Sequence, residues 1–318
     1  MTVSVVVTCH NEERYIEQAL RSVAAQTAFD RVLEIIAVDD GSRDNSPFIL
    51  EQLAKEIKRL RIITTSGLGL PAARNRALMK ARGKFVAILD GDDYWKAEKL
   101  ERQLLAFEQD PRIGLVYSDF ADFSRDDATD ARIITVRRFN PENPHHLRDY
   151  FIHDAPIVPS TAVVRGSVFK DVGLFDESLR IGEDTEFYLR VAEKWRFCHV
   201  PGAFAFKRRH AEQLSRTLEA LLPSAAIITQ RFCERHPELK PLASRRMARV
   251  HVKVSADFAI KGEWRKALRH AFKTLRRAPL YPRGWANLAL LLAPAPLVRP
   301  FYKSVKRPWH AIRQMGAT

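Results

Sequence analysis

Val3 to Thr8 is an almost unbroken β-branched run, Glu34 to Asp39 holds Ile35, Ile36 and Val38, and Phe85 to Leu89 reads Phe-Val-Ala-Ile-Leu. Continuous apolar runs of this kind suit strands covered on both faces, as in a parallel sheet. Between them lie stretches of helix length: Glu13 to Gln26, Ser46 to Lys58 and Pro71 to Ala81. Tyr15, Ile16, Ala19, Leu20 and Val23 recur at helical spacing. Ser46 followed by Pro47 fits an N-cap with proline in the first turn. Strands alternating with helices predict an α/β fold. From about residue 217 the pattern becomes helical, over Ala220 to Arg235, Ala243 to Lys261, Trp264 to Arg277 and Trp285 to Val298. Gly262, Ala267 and Pro279 are spaced like the end of a tetratricopeptide unit. One such match needs neighbours to bury its faces, so the segment reads as a helical hairpin.

Polar residues follow three of the strands directly: Cys9-His10-Asn11-Glu12, Asp39-Asp40-Gly41-Ser42 and Asp90-Gly91-Asp92-Asp93. Ligands of open parallel sheets bind beyond the carboxyl ends of the strands, so all three clusters are expected on one edge. Three carboxylates in four residues repel one another and raise their pKa values unless a cation neutralises them. Two readings of residues 90–93 stay open: oxygen ligands for Mg²⁺ or Mn²⁺, or a solvated acidic turn. Neither a P-loop nor a glycine-rich dinucleotide loop follows a strand. Gly67 to Pro71 is a turn into a helix, whose amides either meet an anion or serve a plain loop.

The 318 residues are 46% hydrophobic and 28% charged, which excludes a mainly disordered or fibrous chain. Cys9, Cys198 and Cys233 form no CxxC, which argues against a disulfide scaffold or a cysteine zinc site and suits a reducing compartment. The opening Met-Thr-Val-Ser-Val-Val-Val reads as a strand, not a signal peptide. No apolar run approaches the roughly 18 residues of a membrane span. The net charge of +14 is uneven: residues 207–318 hold 24 Lys and Arg against 6 Asp and Glu, and residues 1–206 hold 28 against 32. The basic region predicts a polyanionic partner, or else a solvated basic surface. Basic amphipathic helices such as Trp264 to Arg277 lie on anionic membranes, so peripheral attachment to the inner face of the cell membrane, from the cytoplasm, is expected. A nucleic-acid partner is disfavoured by the lack of a zinc-finger or RNP motif.

With these residues assembled, the chain resembles the family 2 glycosyltransferases over about residues 1–216. Val5 to Glu12 looks like the family's opening strand and nucleotide loop, and Val38 to Asp44 like its second signature. Gly69 to Ala77 is similar to the helix carrying an Arg-Asn pair, and Leu89 to Asp93 to the metal motif. Val172 to Glu177, followed by Gly182 to Glu186, resembles the acceptor-side segment. Arg208-Arg209-His210 with Gln213 to Ser215 looks like the segment that ends many family catalytic domains.

The resemblance implies an α/β fold of the GT-A type, a Rossmann-like mixed sheet, with a basic helical C-terminal region. It implies a catalytic domain over 1–216, its nucleotide-sugar half 1–110 and acceptor half 111–216, followed by basic helices over 217–318. The implied activity is inverting transfer from a nucleotide-diphosphate sugar, UDP-linked, to a glycan or lipid-linked acceptor in surface polysaccharide or glycolipid synthesis, with Mn²⁺ or Mg²⁺ as cofactor. Asp184 is implied as catalytic base, which agrees with the need for a carboxylate within hydrogen-bond reach of the acceptor hydroxyl. Thr8, His10, Asn11 and Glu12 are implied against the nucleotide, Asp40 on the base, Asp39 bracing its turn, and Arg74 near base or diphosphate. His10 stands where the family often has an aromatic residue. Asp92 is implied as metal ligand, with Asp90 and Asp93 near ribose, sugar or metal-bound water, and Glu183 as a substrate-binding residue next to Asp184. Arg209 and His210, with Arg208, suit the diphosphate, and His210 also suits the metal. The other class of function is a non-catalytic scaffold of this fold, or a polyanion-binding protein using the basic region.

Overall fold

The structure, a computed structural model, describes residues 1–140, 143, 146–153, 156–210 and 218–293. The chain forms two compact units, Met1–Tyr150 with Asp154–Ala211, and Phe151–His153 with Glu212–Thr318.

Up to residue 90 the elements alternate: β1 (Val3–Cys9), α1 (Ile16–Ala24), β2 (Val32–Asp40), α2 (Ser46–Glu56), β3 (Leu60–Thr65), α3 (Leu70–Leu78) and β4 (Phe85–Asp90). There follow β5 (Tyr94–Trp95), α4 (Lys99–Gln109), β6 (Ile113–Phe123), β7 (Arg132–Ile134), α5 (His146–His153), β8 (Val163–Arg165), α6 (Gly166–Val172), α7 (Glu183–Lys194) and β9 (Arg196–Arg208). The sheet order is β3-β2-β1-β4-β8-β6-β9-β5, with β7 on β6. β1 to β4 run parallel, β8 is antiparallel to both β4 and β6, and β9 is parallel to β6. The carboxyl ends of β1, β2, β4, β6 and β9 therefore share one edge. Every residue of β1 is buried, as the continuous apolar run requires, and α1 covers the sheet with Ile16, Ala19, Leu20 and Val23. Ile16, Leu20 and Val23 each contribute roughly 1.5–3 kcal/mol by leaving water.

The N-terminus of α2 differs from the sequence expectation. Asn45, not Ser46, precedes its first turn. Ser46 is buried, its N–H donates to Asp44 Oδ1 at 2.9 Å, and its hydroxyl accepts the Glu12 N–H at 2.8 Å. The serine that looked like a cap instead ties the loop after β1 to the loop after β2.

The second unit contains α8 (Leu221–Arg235), α9 (Lys240–Ile260), α10 (Trp264–Arg277) and α11 (Pro282–Leu292). Its core is built from Val250, Val254 and Phe258 of α9, Ala267 and Ala271 of α10, and Leu288 and Leu291 of α11. Gly262, at φ +80°, turns the chain after α9. α11 ends at Leu292, with Ala293 extended; residues 294–298 of the helix expected to run to Val298 lie outside the described residues, as do Gln213 to Ser215. Among the described residues no helix is long and apolar enough to cross a membrane.

Candidate active site

The loops after β1 and β2 are laced together at the shared edge. Asn11, at φ +56°, donates its N–H to Ser42 Oγ at 2.9 Å and accepts the Arg43 N–H at 2.8 Å. His10 Nδ1–H donates to the Asp40 carbonyl at 2.7 Å, and its Nε2 accepts from Asn11 Nδ2 at 3.1 Å, which fixes one tautomer. Asp39 is buried and takes the Ser42 N–H at 3.2 Å. Asp40 accepts from Thr65 Oγ1 (2.6 Å), Leu68 N–H (2.7 Å) and Gly69 N–H (2.8 Å). Burial alone would raise its pKa, but these bonds hold the carboxyl below its ordinary value. The anion met by the amides of the 67–71 turn is thus an internal carboxylate.

Residues 90–93 are packed from both sides. A Cβ on Gly91 would sit 2.0 Å from Glu12 Oε2 and 2.7 Å from the Thr8 carbonyl, so only glycine fits. The Gly91 N–H donates to that carbonyl at 2.9 Å. Glu12 Oε2 and Thr8 Oγ1 are buried without hydrogen-bond partners. Burial first, then Asp92, Asp90 and Asp93, push the Glu12 carboxyl well above its ordinary pKa. Asp93 is buried, accepting from Ser160 Oγ at 2.6 Å and from the Arg208 N–H at 2.9 Å. Trp95 is packed as well, with its indole N–H on the Ser160 carbonyl at 2.7 Å.

Arg74 connects this turn to the start of α7. The side chain is 0% exposed, donating to Asp90 Oδ1 at 2.8 Å and to Glu183 Oε1 at 3.1 Å, and stacks over Phe175 at 5.0 Å. Burial and Asp184 push the Glu183 carboxyl up, with Arg74 opposing. Asp184 stands in the first turn of α7, behind Gly182 at φ +85°, and its Oδ1 accepts the Thr185 N–H at 2.6 Å. Asn75 braces the preceding loop, donating to the Phe175 carbonyl and to Glu177 Oε1, both at 2.9 Å.

The end of β9 closes the cluster. His210 Nε2 lies 3.0 Å from Asp92 Oδ2, with its ring 5.3 Å from that of Tyr15. Arg208 Nε donates to the Asp92 carbonyl at 3.2 Å, its Nη2 to Gln18 Oε1 at 2.6 Å and its Nη1 to Asp126 Oδ1 at 2.9 Å. Arg209 turns instead to Asp122 Oδ2 at 3.1 Å. Burial would lower the Lys207 pKa, but Asp93, Asp92 and Asp90 raise it.

The structure thus gathers Thr8, His10 to Glu12, Asp39, Asp40 and Asp90 to Asp93 on one edge, with His210 beside Asp92. Arg74 and Glu183 form a buried pair, and Arg209 is drawn to a separate acidic pair, Asp122 and Asp130. Sequence reasoning passed over Lys207 and Ser160; neither carries a local motif, and both act through partners far away in the chain. Cys9 is buried and its thiol pKa is pushed up by that burial. Among the described residues no group of three or more His, Cys, Asp or Glu is arranged to hold a metal. The Asp92 carboxylate is an oxygen donor of the kind that Mn²⁺ or Mg²⁺ takes alongside water and phosphate oxygens, and His210 Nε2 stands 3.0 Å from its Oδ2.

A family model described as glycosyl transferase family 2 matches residues 4–173. The uncharacterized glycosyltransferase EpsJ of Bacillus subtilis is 32% identical over 203 residues, 60% of this chain and 57% of that protein. The chain therefore matches less than two thirds of that relative's length. S. aureus TarS 1-349 in complex with UDP-GlcNAc superposes with a TM-score of 0.61 at 18% identity, over 96% of this chain and 92% of that one. A mannosyltransferase from Pyrobaculum calidifontis in complex with GDP-Man and Mn²⁺ gives 0.57 at 19% identity, over 95% and 83%.

Proposed function

The chain belongs to glycosyl transferase family 2, and on that premise we propose that it moves a sugar from a UDP-sugar to an acceptor hydroxyl with inversion at the anomeric carbon. As a member of that family it is a glycosyltransferase, and its mixed sheet is the GT-A fold. The observation that carries the proposal is the meeting of the turn after β4 with the start of α7 through Arg74. TarS with UDP-GlcNAc supports a UDP donor.

The loops at 10–12 and 40–42 are pre-shaped by their own hydrogen bonds, so a nucleotide entering there orders little further. Asp184 accepts the proton of the acceptor hydroxyl as the new oxygen–carbon bond forms and the bond from the anomeric carbon to the diphosphate oxygen breaks. The proton then leaves Asp184 to solvent, and the diphosphate departs with the bonding electron pair. Arg74, by fixing Glu183, holds the first turn of α7 in place for that transfer. Asp92 and His210 would hold Mn²⁺ or Mg²⁺, which when bound offsets charge on the leaving diphosphate. The acceptor is a glycan or lipid-linked intermediate of surface polysaccharide synthesis. The protein meets it at the inner face of the cell membrane, held by its basic helices.

Calorimetric titration with a panel of nucleoside diphosphate sugars, with and without Mn²⁺, tests the reading on wild type and Asp92→Ala. Metal-dependent binding of one donor, lost in the variant, supports it. No binding of any donor, with acceptor glycans also supplied, would move the assignment to a non-catalytic scaffold or a polyanion-binding protein.

A further inference from the structure

Arg269, Phe272, Lys273 and Arg276 fall at positions i, i+3, i+4 and i+7 of α10, and so line one face of that helix. Together with Trp285 and Leu288 of α11 they bound a groove of about 700 Å³. Phe272 is 58% exposed and Trp285 55%, and Leu280 on the connecting turn is 95% exposed. The two helices approach closely because residue 284 is glycine: a Cβ there would lie 2.9 Å from Thr274 Cγ2 and 3.0 Å from Leu275 Cδ2. The Trp285 indole N–H donates to the Pro279 carbonyl at 2.6 Å. Its one polar atom is thereby satisfied inside the protein while the ring faces outward.

We propose that this face is the docking surface for an anionic phospholipid bilayer, with Phe272 and Trp285 entering the headgroup layer and Arg269, Lys273 and Arg276 meeting lipid phosphates. This rests on the membrane reading given above and locates it on α10 and α11. Charge selects the occupant. From residue 264 to the end the chain carries 12 Lys and Arg and no Asp or Glu. A second copy of the face is therefore repelled by it. Nucleic acid would satisfy the cations but leave a benzyl ring, an indole and Leu280 without a dry partner. Basic side chains ringed around exposed aromatic groups match a bilayer interface on both counts.

The test is flotation of the full chain with phosphatidylcholine vesicles, with and without 30% phosphatidylglycerol, at low and at 0.5 M salt. Three proteins are compared: wild type, Lys273→Glu/Arg276→Glu, and Phe272→Ser/Trp285→Ala. Circular dichroism and donor-sugar binding serve as controls for folding. The proposal expects wild type to float only with phosphatidylglycerol, salt to weaken it, and each folded variant to lose roughly tenfold or more in partitioning. Flotation of both variants as well as wild type would overturn the groove while leaving membrane attachment standing. If wild type fails to float, both fall. Equal competition of wild type for vesicles by duplex DNA, without any effect of the aromatic substitutions, would reassign the face to nucleic acid.

Discussion

Arg74 donates through Nη2 to Asp90 Oδ1 at 2.8 Å, joining the turn at the end of β4 to a helix that begins more than ninety residues later. The second arm of the same guanidinium holds Glu183. Planarity and two parallel donors make this an arginine position, because a lysine ammonium cannot span both carboxylates in fixed geometry. Arg74→Ala leaves two carboxylates in a buried site and is expected to cost about 3–5 kcal/mol of stability in urea unfolding. Arg74→Lys keeps the charge and folds, and its kcat is expected to fall far more than the KM for donor changes, because the α7 start is displaced.

Asp184→Asn preserves size and the hydrogen bond from the Thr185 N–H. Donor binding by calorimetry stays within about twofold of wild type, whereas turnover drops by roughly 10²–10⁴, the usual contribution of a general base. Equal loss of donor affinity would assign the residue to donor binding instead.

Asp92 and His210 predict unequal metal phenotypes. Asp92→Ala abolishes Mn²⁺-dependent donor binding. His210→Ala retains it but raises the Mn²⁺ concentration for half-maximal activity about tenfold, a difference of about 1.4 kcal/mol. Metal titration of activity in both variants measures this, and an unchanged His210→Ala curve would remove the imidazole from the ion.

His146 gives a pH limb with a definite sign. Burial, partly opposed by Asp149, lowers its pKa from 6.5 to about 4, with the ring edge-on to Phe197 at 4.6 Å. The fold favours the neutral imidazole. Stability from this group is fully present above about pH 6.5 and is lost as pH falls toward 4, by at most about 3 kcal/mol. His146→Phe flattens that limb in urea titrations between pH 4 and 7, and an unaltered slope would contradict the assignment.

The long apolar runs made β1, β2 and β4 legible in the sequence, because a strand buried on both faces announces itself by composition. β5 has two residues and β8 three, too few for any period to register, and both owe their pairing to β9, β4 and β6. At the site, residue types were readable but partners were not. Asp40 and Arg74 are engaged by groups 16 to 109 positions away, which no local pattern announces: Thr65, Leu68 and Gly69 for Asp40, Asp90 and Glu183 for Arg74. Arg208 and Arg209 could not be told apart in the sequence, since neighbours at a strand end point to opposite sides. One joined the acidic turn and the other left it.

The clamp between Asp93 and the Arg208 N–H spans 115 positions. A chain emerging from the ribosome has delivered residues 4–173, the whole span matched by the family model, before β9 exists. At that stage Asp90, Asp92 and Asp93 are already present, but Lys207, Arg208 and His210 are not yet made. At synthesis rates of roughly 5–20 residues per second, about 2–7 s separate residue 173 from residue 210. Adding β9 to the sheet is therefore also the step that brings Arg208 and His210 to the acidic turn.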